Sequence, residues 1–353
     1  MHPLDNPETY RRFDPSGLRT RIAGLPQQCQ DAWEAALAAP LPRTYVHVNK
    51  VVLTGMGGSA IGGDILRDLA ALEDGPAVTV SRDYHLPRWV SDDTLIIASS
   101  YSGNTEETLT AFEEALRQGC RIVVLTGGGR LRELAERHAL PTVLVDFEGE
   151  PRSALGYSLL GPLAVLVKLG LLQEKAADVA DAVGVLEEQG RKLREDVPLE
   201  DNPAKQMAVA LHGRLPVVWG AGILTAAARR WKTQFNENAK VWSFVEVLPE
   251  AHHNSVVGFP LPQAAKEVAY LLLLQPCLLH ARVALRYAVS QELLEREGVA
   301  HRLVKAREGS PLAQVLSTVQ LGDYVSYYLA MLNGVDPSPV QVIDWLKERL
   351  AQE

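Results

Sequence analysis

Cysteine is scarce. The 353 residues hold three, Cys29, Cys120 and Cys277, far apart and odd in number. This argues against a disulfide framework or a CxxC metal site and suits a reducing compartment. No HExxH motif and no spaced His/Asp cluster occurs, so neither metal nor cofactor is expected. Positive charge is in deficit: 35 Lys and Arg against 43 Asp and Glu leave a net charge of −8. Non-specific nucleic-acid binding needs the opposite balance. Long apolar runs are missing too. EVAYLLLLQPCLLHARVAL carries Glu267, Gln275, Pro276, His280 and Arg282, too much polarity for a membrane span of about 20 residues. It reads as a buried strand followed by a helix. The opening MHPLDNPETYRRF lacks the apolar core of a signal peptide. A cytoplasmic protein with no membrane or nucleic-acid partner is expected.

What is present is an α/β alternation. Apolar runs at Val51–Thr54, Ala77–Ser81, Thr94–Ser100, Arg121–Thr126 and Thr142–Asp146 alternate with helical patterns. Such a rhythm marks a parallel sheet with helices on both faces. It returns at Leu215–Gly222, Tyr270–Gln275 and His301–Ala306. Strand, glycine turn and helix at Leu53–Gly63 are echoed at Val217–Ala226. The expected fold class is therefore α/β, with two doubly wound domains, each a mainly parallel sheet flanked by helices. The expected division is a helical arm over 1–43, a first domain over 44–152, a helical linker over 153–201 and a second domain over 202–353. The arm carries one helix, around Gln27–Ala39. The last helix is expected to be capped by Asp336 or Ser338, with Pro339 in its first turn.

Two loops carry the chemistry. GMGGSAIGGD, from Gly55, follows a strand and opens a helix. Glycines let a ligand approach the backbone, and a helix start offers free N–H groups to an anion. A dinucleotide fingerprint is the competing reading, but Ala60 stands at its third glycine. SSYSGNTEET, Ser99–Thr108, lies at a second strand-to-helix junction. Ser100, Ser102 and Thr105 place three hydroxyls around one turn, which suits a phosphate. Ser102 or Asn104 could also simply cap the helix. In an open α/β sheet, ligands sit beyond the carboxyl ends of strands at a switch point, so both loops can share one ligand.

These loops resemble those of the bifunctional phosphoglucose/phosphomannose isomerases, enzymes built from two sugar isomerase (SIS) domains. The resemblance runs from about residue 44 to the end. It implies that Gly58, Ser59, Ser100, Ser102 and Thr105 hold a sugar phosphate. It also implies an aldose–ketose isomerase that interconverts glucose 6-phosphate and fructose 6-phosphate, and mannose 6-phosphate as well.

Moving a proton between adjacent carbons through an enediol needs a base and a positive group beside the developing oxyanion. FNENAK followed by LPEAHHN resembles the family stretch that carries the base and the ring-opening group. By that resemblance Glu237 is the base and His253 the ring-opening acid/base, contributed across a homodimer interface. His253 is preferred to His252 because it directly precedes Asn254. On a strand the two histidines would point apart. Arg152, in EPRSALGY, is implied to face the enediolate, and Lys347 to contact the sugar. Ser255 departs from the acidic residue expected after HN. The family's C-terminal threonine, linked to acting on mannose 6-phosphate, could correspond to Ser338 or Thr318. A non-catalytic SIS sugar-phosphate sensor is the alternative function, as is another SIS-family isomerase.

Overall fold

β-Branched and leucine runs bounded by glycine turns become the strands of this chain. The computed structural model describes residues 2–259, 261–350 and 352. The first half holds β1 Lys50–Thr54, β2 Ala77–Ser81, β3 Thr94–Ser100, β4 Arg121–Thr126 and β5 Thr142–Leu144. They pair in parallel in the order β2-β1-β3-β4-β5. The second half holds β6 Leu215–Gly220, β7 Phe244–Val247, β8 Ala269–Gln275 and β9 Ala300–Lys305, parallel in the order β7-β6-β8-β9. The α/β class and its parallel sheets are as expected, and the second sheet repeats the order of the first four strands. In each, the order reverses beside the first strand, which sets the switch point at β1/β3 and at β6/β8.

The helices are α1 Pro7–Phe13, α2 Leu18–Ala23, α3 Leu25–Ala38, α4 Gly57–Ala70, α5 Glu106–Arg117, α6 Gly129–Arg137 and α7 Leu155–Lys168. They continue with α8 Ala176–Leu193, α9 Pro203–Leu211, α10 Thr225–Glu237, α11 Gln263–Val268, α12 Ala281–Glu297, α13 Pro311–Asn333 and α14 Gln341–Leu350. Two are apolar nearly all round and accordingly buried: α7 packs against α3 and α4, and α13 against α8, α9 and α10. One apolar core runs from Leu4 in the arm through both sheets to Met331. We propose the division at 44–152 and 202–353 for the folded chain, each sheet with its helices forming one unit.

The halves are also joined by charge. Buried Asp64 of α4 pairs with Arg82 at the end of β2 and with Arg229 of α10, 3.4 Å away. Asp68, one turn on, accepts the Ala226 backbone N–H at the start of α10, 3.0 Å away.

Three local expectations are corrected. Among the described residues the arm holds three α-helices rather than one, because Asn6 caps α1 and buried Asp14 accepts the Leu18 N–H that opens α2. The last helix starts at Gln341, beyond Pro339: Asp336 instead accepts the Ser338 N–H in a local turn. His252 and His253 lie on a 3₁₀ turn, Glu250–His253, not on a strand.

Candidate active site

The two loops meet at the first switch point. Gly57 opens α4 in the left-handed region, with φ +48. Ser59, in the first turn, is buried, and its Oγ accepts the Tyr101 N–H at 3.2 Å. Ser99 Oγ donates in turn to the Ser59 carbonyl at 3.4 Å. The loop after β1 is thus stitched to the loop after β3.

In that second loop Ser100 Oγ and Thr105 Oγ1 lie 2.8 Å apart, and Ser100 Oγ also accepts the Gly103 N–H. Ser102 is exposed and its Oγ accepts the Asn104 N–H at 3.3 Å. Gly103 has φ +68, and a Cβ there would collide with the Gly128 carbonyl oxygen. The cap of α5 is corrected: it is Thr105, and among the described residues no side chain caps the free N–H groups of the first turn. Hydroxyls and unpaired helix-start N–H groups therefore face the same space, with no Lys or Arg in either loop.

Gly58 connects this cradle to the charged part of the site. A Cβ on it would lie 2.5 Å from the Pro151 carbonyl oxygen and 2.8 Å from the Arg152 nitrogen. Only glycine lets the start of α4 abut the turn Pro151–Ser153 that carries Arg152.

Arg152 is 4% exposed. Its Nε donates to Asn238 Oδ1 at 2.8 Å, and its Nη2 to the carbonyls of Pro337 at 2.7 Å and Ser338 at 2.9 Å. That leaves Nη1, which points at Glu237 Oε2, 3.5 Å away. Burial pulls the guanidinium below its ordinary value, and the charges of Glu237 and Glu150 oppose this. Glu237 ends α10, with its side chain 27% exposed, and lines an open cavity of about 730 Å³ shared with Lys240, Trp242, Val335, Asp336 and Pro339. Lys240 reaches over from beyond α10. Its Nζ donates to the carbonyls of Glu237, Pro337 and Pro339.

One chain brings together Ser59, Ser100, Thr105, Gly58, Arg152 and Glu237, with Ser102 at the rim. It does not bring His253 or Lys347 to them: neither pairs with Arg152 or Glu237 among the described residues. His253 is exposed at the end of its turn, and Lys347 lies on α14, whose residues are all exposed. His252, by contrast, is spent within its own half. Arg286 can only donate, so His252 Nδ1 accepts at 3.1 Å and Nε2–H faces Ser290 Oγ at 2.8 Å. Burial, then the charge of Arg286, holds it below the ordinary histidine range. Ser255 Oγ donates to Asn254 Oδ1. Thr318 is buried inside α13, bonded to the Gln314 carbonyl, whereas Ser338 borders Arg152. Sequence reasoning missed Asn238 and Lys240 as neighbours of Arg152, although both stand in FNENAK.

The model of the bacterial phospho-glucose isomerase C-terminal SIS domain matches residues 200–350. A bifunctional phosphoglucose/phosphomannose isomerase from Caldicellulosiruptor bescii is 38% identical over 332 residues, 94% of this chain and 98% of that protein. This chain belongs to that isomerase family. A second such isomerase, from Aquifex aeolicus, is 36% identical over 301 residues, 85% of this chain and 90% of its own. Among solved structures, a hypothetical protein from Thermus thermophilus matches in fold with TM-score 0.75 at 21% identity, over 98% of this chain and 93% of that one. The matched domain model covers the half in which Glu237, His253 and Lys347 lie.

Proposed function

We propose that the chain is a metal-independent aldose–ketose isomerase interconverting glucose 6-phosphate, fructose 6-phosphate and mannose 6-phosphate through an enediol. The observation that carries this is the Arg152–Glu237 pair: a buried guanidinium whose Nη1, bound to no other group of the described residues, is aimed at a partly exposed carboxylate beside a neutral anion cradle. Gly58, Ser59, Ser100, Ser102 and Thr105 hold the phosphate. Glu237 removes the proton from C2 of the aldose, and the electron pair passes through C1–C2 to the carbonyl oxygen. Arg152 offsets the resulting oxyanion. Return of the proton to C1, with transfer of the hydroxyl proton between O1 and O2, gives the ketose. Glucose and mannose share one enediol, so return to either face of C2 links all three sugars.

His253 opens the ring, giving a proton to the ring oxygen as the C1 hydroxyl loses one. Exposed at the end of its turn, it fits a homodimer in which it reaches the partner's site. Lys347 contacts the sugar once α14 is covered. The cytoplasm is the compartment we infer; among the described residues no helix is long and apolar enough to cross a membrane.

A coupled spectrophotometric assay on EDTA-treated protein tests this, with fructose 6-phosphate and then mannose 6-phosphate, and Glu237→Gln alongside. Turnover of both sugars, lost in the variant, is expected. Binding of either sugar phosphate without turnover would replace the isomerase by a sensor.

A further inference from the structure

Arg152 depends on two segments that have little regular structure of their own. One is the short turn Pro151–Ser153 that bears it. The other is Pro337–Ser338, between α13 and α14, whose carbonyls take both Nη2 hydrogens. A guanidinium held this way points its last nitrogen correctly only while both segments stay in register.

One side chain of the N-terminal arm grips both. Arg21, on α2, makes a bidentate pair with Glu150, at 2.9 Å from Nε and 2.7 Å from Nη2. Glu150 is the residue before that turn and accepts the Ser153 hydroxyl at 3.0 Å. The same Nη2 lies 3.3 Å from Ser338 Oγ, and Nη1 donates to the Ser16 carbonyl at 2.7 Å. Gly149 makes room: a Cβ there would lie 2.6 Å from Arg21 Cδ. The Arg21 and Glu150 side chains are 18% and 14% exposed, so the pair is largely shielded from water.

We infer that Arg21 is a positioning residue for Arg152, tying its turn to the Pro337–Ser338 carbonyls and neutralising Glu150. Without Arg21, the Glu150 carboxylate is left unpaired close behind Arg152 and competes for its guanidinium. The inference rests on the isomerase reading and adds the arm to its active site.

The test is a double-mutant cycle in steady-state kinetics with fructose 6-phosphate, on the full chain. The variants are Arg21→Ala, Arg152→Ala and the double variant, each checked by thermal melting. Arg21→Ala should lower kcat roughly tenfold or more and leave KM within about twofold, because it touches none of the phosphate cradle. In the Arg152→Ala background the same change should cost nothing further. Glu150→Gln, nearly isosteric, should also lower kcat, and it carries the test if Arg21→Ala does not fold. Wild-type kcat in the folded variants, or an equal loss with and without Arg152, would overturn the inference and reduce the contact to an arm anchor. No turnover by the wild type is a different failure, that of the isomerase reading itself.

Discussion

Glu237 and Arg152 divide the labour at the reacting carbons, and their variants should fail differently. Glu237→Gln keeps the shape and removes the base, so kcat should fall by about 10²–10⁴ with the melting temperature held, as read in the coupled assay. Arg152→Lys keeps the charge and loses the fork. An ammonium has three donors on one atom and cannot serve Asn238, two carbonyls and a substrate oxygen together. Its kcat should fall on the order of 10²-fold. Glu150 has a readable pH signature. Burial alone would raise its pKa, but hydrogen bonds from Ser338, its own backbone N–H and Arg21, with the charge of Arg21, hold it below the ordinary 4.5. Its pairing therefore stabilises the fold fully above pH 4.5 and is lost as pH falls through the lower, folded value. Urea melts across that range should show a shallower acid loss for Glu150→Gln than for the parent. Glu237 and Arg152 were legible in the sequence only by resemblance to a family, since a lone glutamate and a lone arginine carry no signal. Arg21 and Glu150, 129 residues apart, were not legible at all, because nothing local marks a pair that only the fold brings together.

At the scale of elements, periodicity did most of the work. The eight strands read from apolar runs form, three with the expected bounds and the others with ends shifted by a residue or two. β7 escaped because FVEV is short, carries Glu246 and leaves Phe244 exposed, so neither an apolar run nor an alternation announces it. The start of α14 escaped because Pro339 suits a helix's first turn, yet here its carbonyl is taken by Lys240. The loop between β3 and α5 was legible as a phosphate loop but not in its mechanics. Gly103 is wedged against Gly128, and its φ of +68 is costly for a larger residue. Gly103→Ala should cost more than about 1 kcal/mol in denaturant unfolding and weaken sugar-phosphate protection in the same melt.

The whole molecule presents an unfinished surface. Val342, Trp345 and Leu350 of α14 are 72%, 58% and 68% exposed, and Trp242 beside the open cavity is 73% exposed. An amphipathic helix rarely leaves its apolar side in water. The proposed homodimer covers such a surface and brings His253 to a second site. Complementation tests this directly. Homodimers of Glu237→Gln and of His253→Ala should each be nearly inactive. Mixed and reassorted, they should regain roughly a quarter of wild-type activity, since half the dimers are hybrids with one intact site of two. No recovery would place Glu237 and His253 in the same chain's site.

The repeated strand order has one more consequence. Two halves with the same topology offer two helix starts after a first strand, α4 and α10, each a natural seat for an anion. The first lies among hydroxyls. At the second, the Asp68 carboxylate already takes the Ala226 N–H. The second seat is plugged by the protein's own anion, sent across from α4. Duplication of the architecture therefore does not duplicate occupancy, and a calorimetric titration with sugar phosphate should saturate at one equivalent per chain.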